Sequence, residues 1–310
     1  MRNRFVDTVV KLAETNPDLF LITGDLGFGV LTEFWERFPD RFINAGISEQ
    51  NMTSVAAGMA LEGKMVFTYS IANFPTARCL EQIRNDIAYH KANVKIVAVG
   101  GGFSYGALGM SHHATEDIAI MRALPEMTVF TPCDPEETEA VVKFAAELDG
   151  PCYIRLGKGG EKNLYEGGGN LRICPQTANL LKSGKDTAIF VAGAIANEAI
   201  DAANRLEIQG ISCAVYSFPS VKPIDTKTIL EVANQVDYIF TLEEHNIIGG
   251  FGSAVSEVIA ETRTKAIVIR LGLNDVYTSA VGSQNYLREY YKVDGESIFT
   301  RIYEKIQINK

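Results

Sequence analysis

Long basic runs are missing from this sequence. Its 29 Lys and Arg are outnumbered by 38 Asp and Glu, giving a net charge of −9 over 310 residues. A nucleic-acid surface or a polybasic membrane patch is therefore not expected. No apolar stretch approaches the roughly 20 residues of a membrane span. The opening, MRNRFVDTVVKLAETNPDLF, has neither an uninterrupted apolar core nor a small-residue cleavage site. It reads as an amphipathic helix with Phe5, Val9 and Leu12 on one stripe, rather than a secretory leader. The five cysteines (Cys79, Cys133, Cys152, Cys174 and Cys213) form an odd set without close pairing. That argues against a disulfide framework or a zinc site and suits the buried thiols of a cytoplasmic protein.

Two common nucleotide-binding signatures are also absent. A dinucleotide fingerprint G-x-G-x-x-G fails at Tyr105 when started from Gly100, at Thr32 from Gly27 and at Val255 from Gly250. Gly157-Lys158 is followed by Gly159, and Cys152 stands where a P-loop needs its first glycine. G-x-S-x-G occurs once, as Gly102-Phe103-Ser104-Tyr105-Gly106, within the glycine-rich stretch 100–113.

What the chain has is alternation. Apolar strand candidates FLIT (20–23), FINAG (42–46), MVFTYS (65–70), VKIVAVG (94–100), MTVFTP (127–132) and CYIRLG (152–157) are separated by helical stretches such as TARCLEQIRNDIAYHKA and DPEETEAVVKFAAEL. The pattern restarts after GKGGEKNLYEGGGN (157–170) with TAIFVAG, ISCAVYSFP, DYIFTLEEH and AIVIRLGL. Alternating strands and helices predict an α/β protein with parallel sheets covered on both faces. The expected fold is two doubly wound α/β domains, residues 1–165 and a smaller 180–310, joined through the glycine-rich stretch.

Open sheets of this kind bind ligands beyond the carboxyl ends of their strands. That rule selects GDLGFG (24–29), GISEQN (46–51), SIANFP (70–75) and GGGFSYGALGMSHH (100–113). Within RFINAGISEQNMTSVAAGMALEG (41–63), Glu49 has two readings. Ser48 suits a helix N-cap, and a carboxylate in the first turn is favoured by the helix dipole with no further role. Alternatively, Glu49 lies on the ligand-facing edge and does chemistry. His112 and His113 invite a metal reading, but no third His or Cys sits at ligand spacing. His245, in LEEHNIIGG, reads as structural.

AGISEQNMTSVAAGMAL, TYSIANFPTARCLEQIRND, SHHATEDIAIMRALPEMTVFTPCDPEE and TLEEHNIIGGFGSAV, in this order, resemble the carboxyl-terminal half of the transketolase family over nearly the whole chain. These enzymes use thiamine diphosphate to move two-carbon ketol units between sugars. The resemblance implies a pyrimidine-binding domain followed by a transketolase C-terminal domain. The family's diphosphate domain carries G-D-G and a later Asn, and with them a magnesium or calcium ion. Here the nearest string is Gly24-Asp25-Leu26, so that domain is missing. The chain looks like one subunit of a split transketolase, completed by an N-terminal-half partner in an α2β2 heterotetramer. No metal ligand is expected in this chain.

By resemblance, Glu49 is the acid that meets N1′ of the cofactor's pyrimidine, an assignment that requires burial, with Ile47, Met52 and Val55 as candidate apolar neighbours. Phe74 matches the aromatic residue on which the pyrimidine stacks, and Ile71 stands where a second aromatic is frequent. His112 matches a histidine that reaches the sugar, and His113 falls where Gln is common. Several clamp positions depart from the pattern. Leu108, beside Ala107, replaces an Asp that reads a substrate hydroxyl, and Gly29 replaces a frequent Ser. Lys158 replaces an Arg on the acceptor phosphate, keeping the charge but losing the bidentate fork. Arg2 aligns with another phosphate-gripping Arg. A specialised sugar phosphate is therefore expected rather than a substrate of central pentose metabolism. Alternatives are a 1-deoxyxylulose-5-phosphate synthase-like chain, a 2-oxoacid dehydrogenase β-like subunit, and a non-catalytic scaffold or regulatory half.

Overall fold

Side chains alternate across a strand, and here the alternation feeds two different cores. Met65, Phe67 and Tyr69 point to one face of their sheet while Val66, between them, points to the other. The structure, a computed structural model, describes residues 1–165 and 173–308. Residues 166–170 of the glycine-rich stretch lie outside the described residues.

The strands are β1 (Leu19–Thr23), β2 (Phe42–Asn44), β3 (Met65–Ile71), β4 (Val94–Val99), β5 (Thr128–Phe130) and β6 (Cys152–Leu156), followed by β7 (Asn179–Lys182), β8 (Thr187–Ala192), β9 (Cys213–Ser217), β10 (Ser220–Lys222), β11 (Tyr238–Asn246) and β12 (Ile267–Leu273). Among the described residues they form a seven-stranded sheet, β10-β5-β6-β4-β3-β1-β2, and a five-stranded sheet, β12-β11-β8-β9-β7. Every pairing is parallel except β10 with β5 and β7 with β9. This is the expected α/β class. Strands β7 and β10 carry too few apolar residues to stand out in the sequence, and β10 comes from the second half of the chain yet completes the first sheet.

The first helix, Arg2–Thr15, buries Phe5, Val6, Val9, Val10 and Ala13, while Leu12 of the expected stripe is only partly buried. It packs on helix Pro135–Glu147. That helix starts well because Asp134 accepts from the Glu137 N–H at 2.8 Å and Pro135 needs no donor partner. Each fully buried Phe or Val in this layer contributes about 1.5–3 kcal/mol. TARCLEQIRNDIAYHKA departs from the single helix expected of it. It breaks into a 3₁₀ turn (Ala77–Cys79), one α turn (Leu80–Gln82) and a π-helical segment (Ile83–Ala88). The Cys79 thiol donates to the Phe74 carbonyl at 3.2 Å, which holds the entry turn tight.

One core runs between the sheets, joining Ile96, Ala98 and Tyr153 of the first to Phe190, Phe218 and Phe251 of the second half. An ionic seam lies beside it. Arg155 donates to Asp117 Oδ2 at 2.7 Å and to the carbonyls of Ala114 and Glu244 at 2.8 and 3.0 Å. Tyr153 donates to the same Asp117 oxygen at 2.5 Å. Burial pushes the Asp117 carboxyl up, but Arg155, His245 and these hydrogen bonds outweigh it and hold the group below the ordinary range. His245 is fully buried there, with Nδ1 2.6 Å from the Asn246 carbonyl and Nε2 3.4 Å from the Ala119 nitrogen. No described helix is long and apolar enough to cross a membrane.

Candidate active site

Because β1 to β4 run parallel, the loops after them emerge at one end of the sheet. Helix Glu49–Leu61 begins there, behind the turn that follows β2. Ser48 holds the N-cap position, but its hydroxyl turns back to donate to the Ala45 carbonyl at 2.6 Å, so it does not cap as expected. Glu49 is 2% exposed. Its cover differs from the expected one: Met52 is fully buried, but Ile47 is 79% exposed and Val55 faces solvent. Gly24 supplies the missing wall, since a Cβ there would lie 3.5 Å from Glu49 Cγ.

The sequence reading missed Arg78. Its Nη1 lies 2.8 Å from Glu49 Oε2, and its guanidinium carbon sits 4.7 Å from the centre of the Phe74 ring. A planar group bearing N–H donors thus touches Phe74 and Glu49 together. Those are the two contacts an aminopyrimidine would make, a ring face on Phe74 and a ring nitrogen at the carboxyl. Arg78 is half-exposed and its long side chain has room to rotate away. Phe74 is partly buried, as is Ile71 at the end of β3.

The loop 100–113 brings His112 edge-on to Phe74, ring centres 5.1 Å apart at 71°. Ser111 Oγ lies 3.0 Å from His112 Nδ1. Burial first, and then the neighbouring His113, pull His112 below the ordinary imidazole range, which favours a neutral ring at pH 7. Asn73, also missed, ties the two loops together through its amide, donating to the carbonyls of Ser111 (3.3 Å) and His113. The sequence-predicted residues Glu49, Phe74 and His112 therefore share one site, joined by Arg78 and Asn73.

A second cluster gathers Arg2 and Lys158. Arg2 sits near Tyr105, where its charge opposes the burial that pushes that phenol up, and Lys158 Nζ is 4.9 Å from the centre of the Tyr105 ring. One edge of the Tyr105 ring packs on Gly100, where a Cβ would meet Cδ2 and Cε2 at 2.2 Å. Arg155, three residues before Lys158, is buried in the seam and does not reach this cluster. Leu108 is 55% exposed on the 3₁₀ turn Gly106–Leu108. No group of three or more His, Cys, Asp or Glu able to hold a metal ion occurs among the described residues.

Residues 1–161 match the transketolase pyrimidine-binding domain, and residues 176–298 match the transketolase C-terminal domain. The chain belongs to the transketolase family. It is 39% identical to a putative transketolase C-terminal section of Methanocaldococcus jannaschii, over 99% of this chain and 96% of that one. It is 35% identical to a subunit of the apulose-4-phosphate transketolase of Phocaeicola vulgatus, over 96% of this chain and 94% of that protein. A solved structure described as a split gene transketolase, inactive beta4 tetramer, superposes with a TM-score of 0.90 at 38% identity, covering 100% of this chain and 99% of that one. Transketolase membership implies dependence on thiamine diphosphate. The planar seat between Phe74 and the buried Glu49 fits the pyrimidine half of that cofactor.

Proposed function

We propose that this chain is the pyrimidine-binding subunit of a two-chain transketolase, transferring a two-carbon ketol unit between sugar phosphates in the cytoplasm. The observation that carries the proposal is the buried Glu49 carboxyl joined to the Phe74 face by one planar guanidinium. Residues 1–165 would form the pyrimidine-binding unit and 180–310 the C-terminal unit. Thiamine diphosphate, when bound, would supply a carbon nucleophile suited to a ketose carbonyl. Glu49 holds a proton at the pyrimidine N1′, and Phe74, with Ile47 and Ile71 at the rim, fixes the ring plane. Arg78 would have to swing aside for that ring to reach Glu49 and Phe74. His112, neutral and edge-on to Phe74, offers a hydrogen bond to a sugar hydroxyl. Arg2 and Lys158, gathered at Tyr105, receive a phosphate, and Leu108, exposed on the turn after Tyr105, offers the sugar no polar partner.

The diphosphate and its magnesium or calcium ion are left to a partner subunit, consistent with a relative that is itself one subunit of a transketolase. Phe28, Ile47, Leu108 and Met110 are all exposed on the loops of this face, as a surface covered by a second chain would be. We infer an α2β2 assembly with the cofactor between subunits. The solved relative, named as an inactive tetramer of one chain type, supports self-association without turnover when the partner is absent. The proposal also extends to a specialised sugar, as in the relative named for apulose 4-phosphate. Calorimetry tests the division of labour. This chain alone should bind thiamine diphosphate weakly, and a chain carrying the diphosphate motif should restore tight binding and transfer; tight binding by this chain alone would overturn the reading.

A further inference from the structure

The loop bearing His112 is shaped by the C-terminal domain. Its base is closed by Gly102 and Ala114, whose backbones exchange hydrogen bonds of 2.9 and 3.1 Å. Above that base, Glu244 on β11 accepts from the Phe103 N–H at 2.6 Å. Arg288 holds Glu244 in turn at 2.8 and 2.5 Å, and Gln284 bridges Glu244 and Ser104. The Gly282 N–H donates to the Gly106 carbonyl at 3.3 Å. A Cβ on Gly106 would meet Leu287 at 2.5 Å and the Gly282 carbonyl at 2.6 Å, so loop and domain touch backbone to backbone.

His113 locks the far end of the loop. It is 1% exposed, with Nδ1 2.7 Å from Thr278 Oγ1 and Nε2 3.2 Å from the Gly106 carbonyl, and its ring is edge-on to Phe103. A carbonyl only accepts, so Nε2 carries the proton; in a neutral ring, Nδ1 then accepts from the Thr278 hydroxyl. One residue earlier, His112 meets Ser111 through Nδ1 and Phe74 edge to face, and its backbone runs straight into that of His113. Its placement therefore follows from where the backbone at 113 is pinned.

We propose that Thr278, acting through His113, is a positioning residue that sets where His112 meets the sugar, which gives the C-terminal domain a part in substrate recognition. This rests on the transferase reading above. Thr278→Val keeps the shape and removes the hydroxyl that donates to Nδ1, whereas Thr278→Ser keeps the donor. In the reconstituted two-chain enzyme, Thr278→Val should raise the sugar KM by about 10- to 100-fold, the scale of an ångström-level misplacement. Cofactor affinity should hold at the wild-type value, and Thr278→Ser should restore the KM.

The full chain alone gives a second readout. It has four histidines, so ¹³Cε1-histidine labelling yields few signals, and His112→Gln identifies the one from His112. That signal should move in Thr278→Val and stay in place in Thr278→Ser. An unmoved His112 signal together with an unchanged sugar KM would overturn the proposal. So would parallel losses of cofactor affinity and sugar binding that Ser does not rescue, because these mean general loosening. If the His112 signal responds as expected while the wild-type complex transfers no ketol unit, the coupling stands and the transferase reading falls.

Discussion

Replacing Glu49 by Gln separates what the carboxyl does for stability from what it does for catalysis. The side chain is 2% exposed, yet its ion-pair partner Arg78 is 47% exposed. Once Glu49 is neutral, Arg78 is free to turn to water, so the lost pair should cost under about 1 kcal/mol, as for surface pairs. In a domain of this size that moves the melting temperature by no more than about 4 °C. Gln also fills the same volume against Gly24 and Met52, so no cavity opens. Catalysis should respond on another scale. Gln cannot hold an ionisable proton at the pyrimidine nitrogen, and loss of a positioned acid or base costs at least about 10²-fold, or roughly 2.7 kcal/mol of barrier. The assay is NMR of hydrogen–deuterium exchange at the thiamine C2 position in the assembled enzyme, run beside turnover and thermal melting. Exchange and turnover should fall together while the melt barely shifts. Exchange at the wild-type rate, or a melt that drops in proportion to activity, would refute the reasoning.

Leu108 should set substrate choice. An ordinary substrate hydroxyl left unpaired against it loses about 1–3 kcal/mol, so a panel of donors and acceptors should favour sugars altered at that carbon, and Leu108→Asp should improve the ordinary ones. If xylulose 5-phosphate and ribose 5-phosphate are the best pair and Leu108→Asp changes nothing, Leu108 is only packing. Lys158→Ala should raise KM for phosphorylated sugars by about tenfold, within the range for a hydrogen bond to a charged group; equal loss on unphosphorylated analogues would remove the phosphate from the argument. Asp117→Asn should cost about 3–5 kcal/mol because it strands Arg155 in the seam. Since the folded carboxyl is held low, its stabilisation is full above about pH 4 and is lost as pH falls through the lowered value. The gap between the wild-type and Asp117→Asn melts should therefore close on acidification; a gap independent of pH would mean the charge is not the cause.

Most strands were legible because each is a short apolar run between turn residues, and two faces of alternating burial need such runs. Strands β7 and β10 were not, since NLLK and SVK acquire their identity only by pairing with β9 and β5. The broken helix after Phe74 escaped notice for a similar reason: its period is helical, while its turns are fixed by contacts such as Cys79 to the Phe74 carbonyl. In the site, Glu49, Phe74 and His112 stood out through family resemblance and their positions after strands. Arg78 was within reach, four residues beyond Phe74 and charged in an apolar stretch. Asn73, Tyr105 and Thr278 carry no local signal, because their roles lie in partners 38 to 165 residues away or in a ring face. Ile47 and Val55 misled because apolar residues beside a buried group need not be the ones that bury it.

The crossing of β10 into the first sheet bears on where such a gene tolerates a cut. Residues 1–165 expressed alone would lack the strand that pairs with β5 and would expose Tyr153 and Ala98, which now pack in the core shared with Phe190 and Phe218. An unpaired, apolar sheet edge is a template for aggregation. The seam would also lose the Glu244 carbonyl that Arg155 uses. Separate inheritance of a diphosphate-binding half is compatible with this architecture; separating the two halves of this chain is not. Swapping C-terminal domains between relatives, as an engineer of sugar specificity would attempt, therefore has to carry β10 and the 278–288 segment across as matched parts.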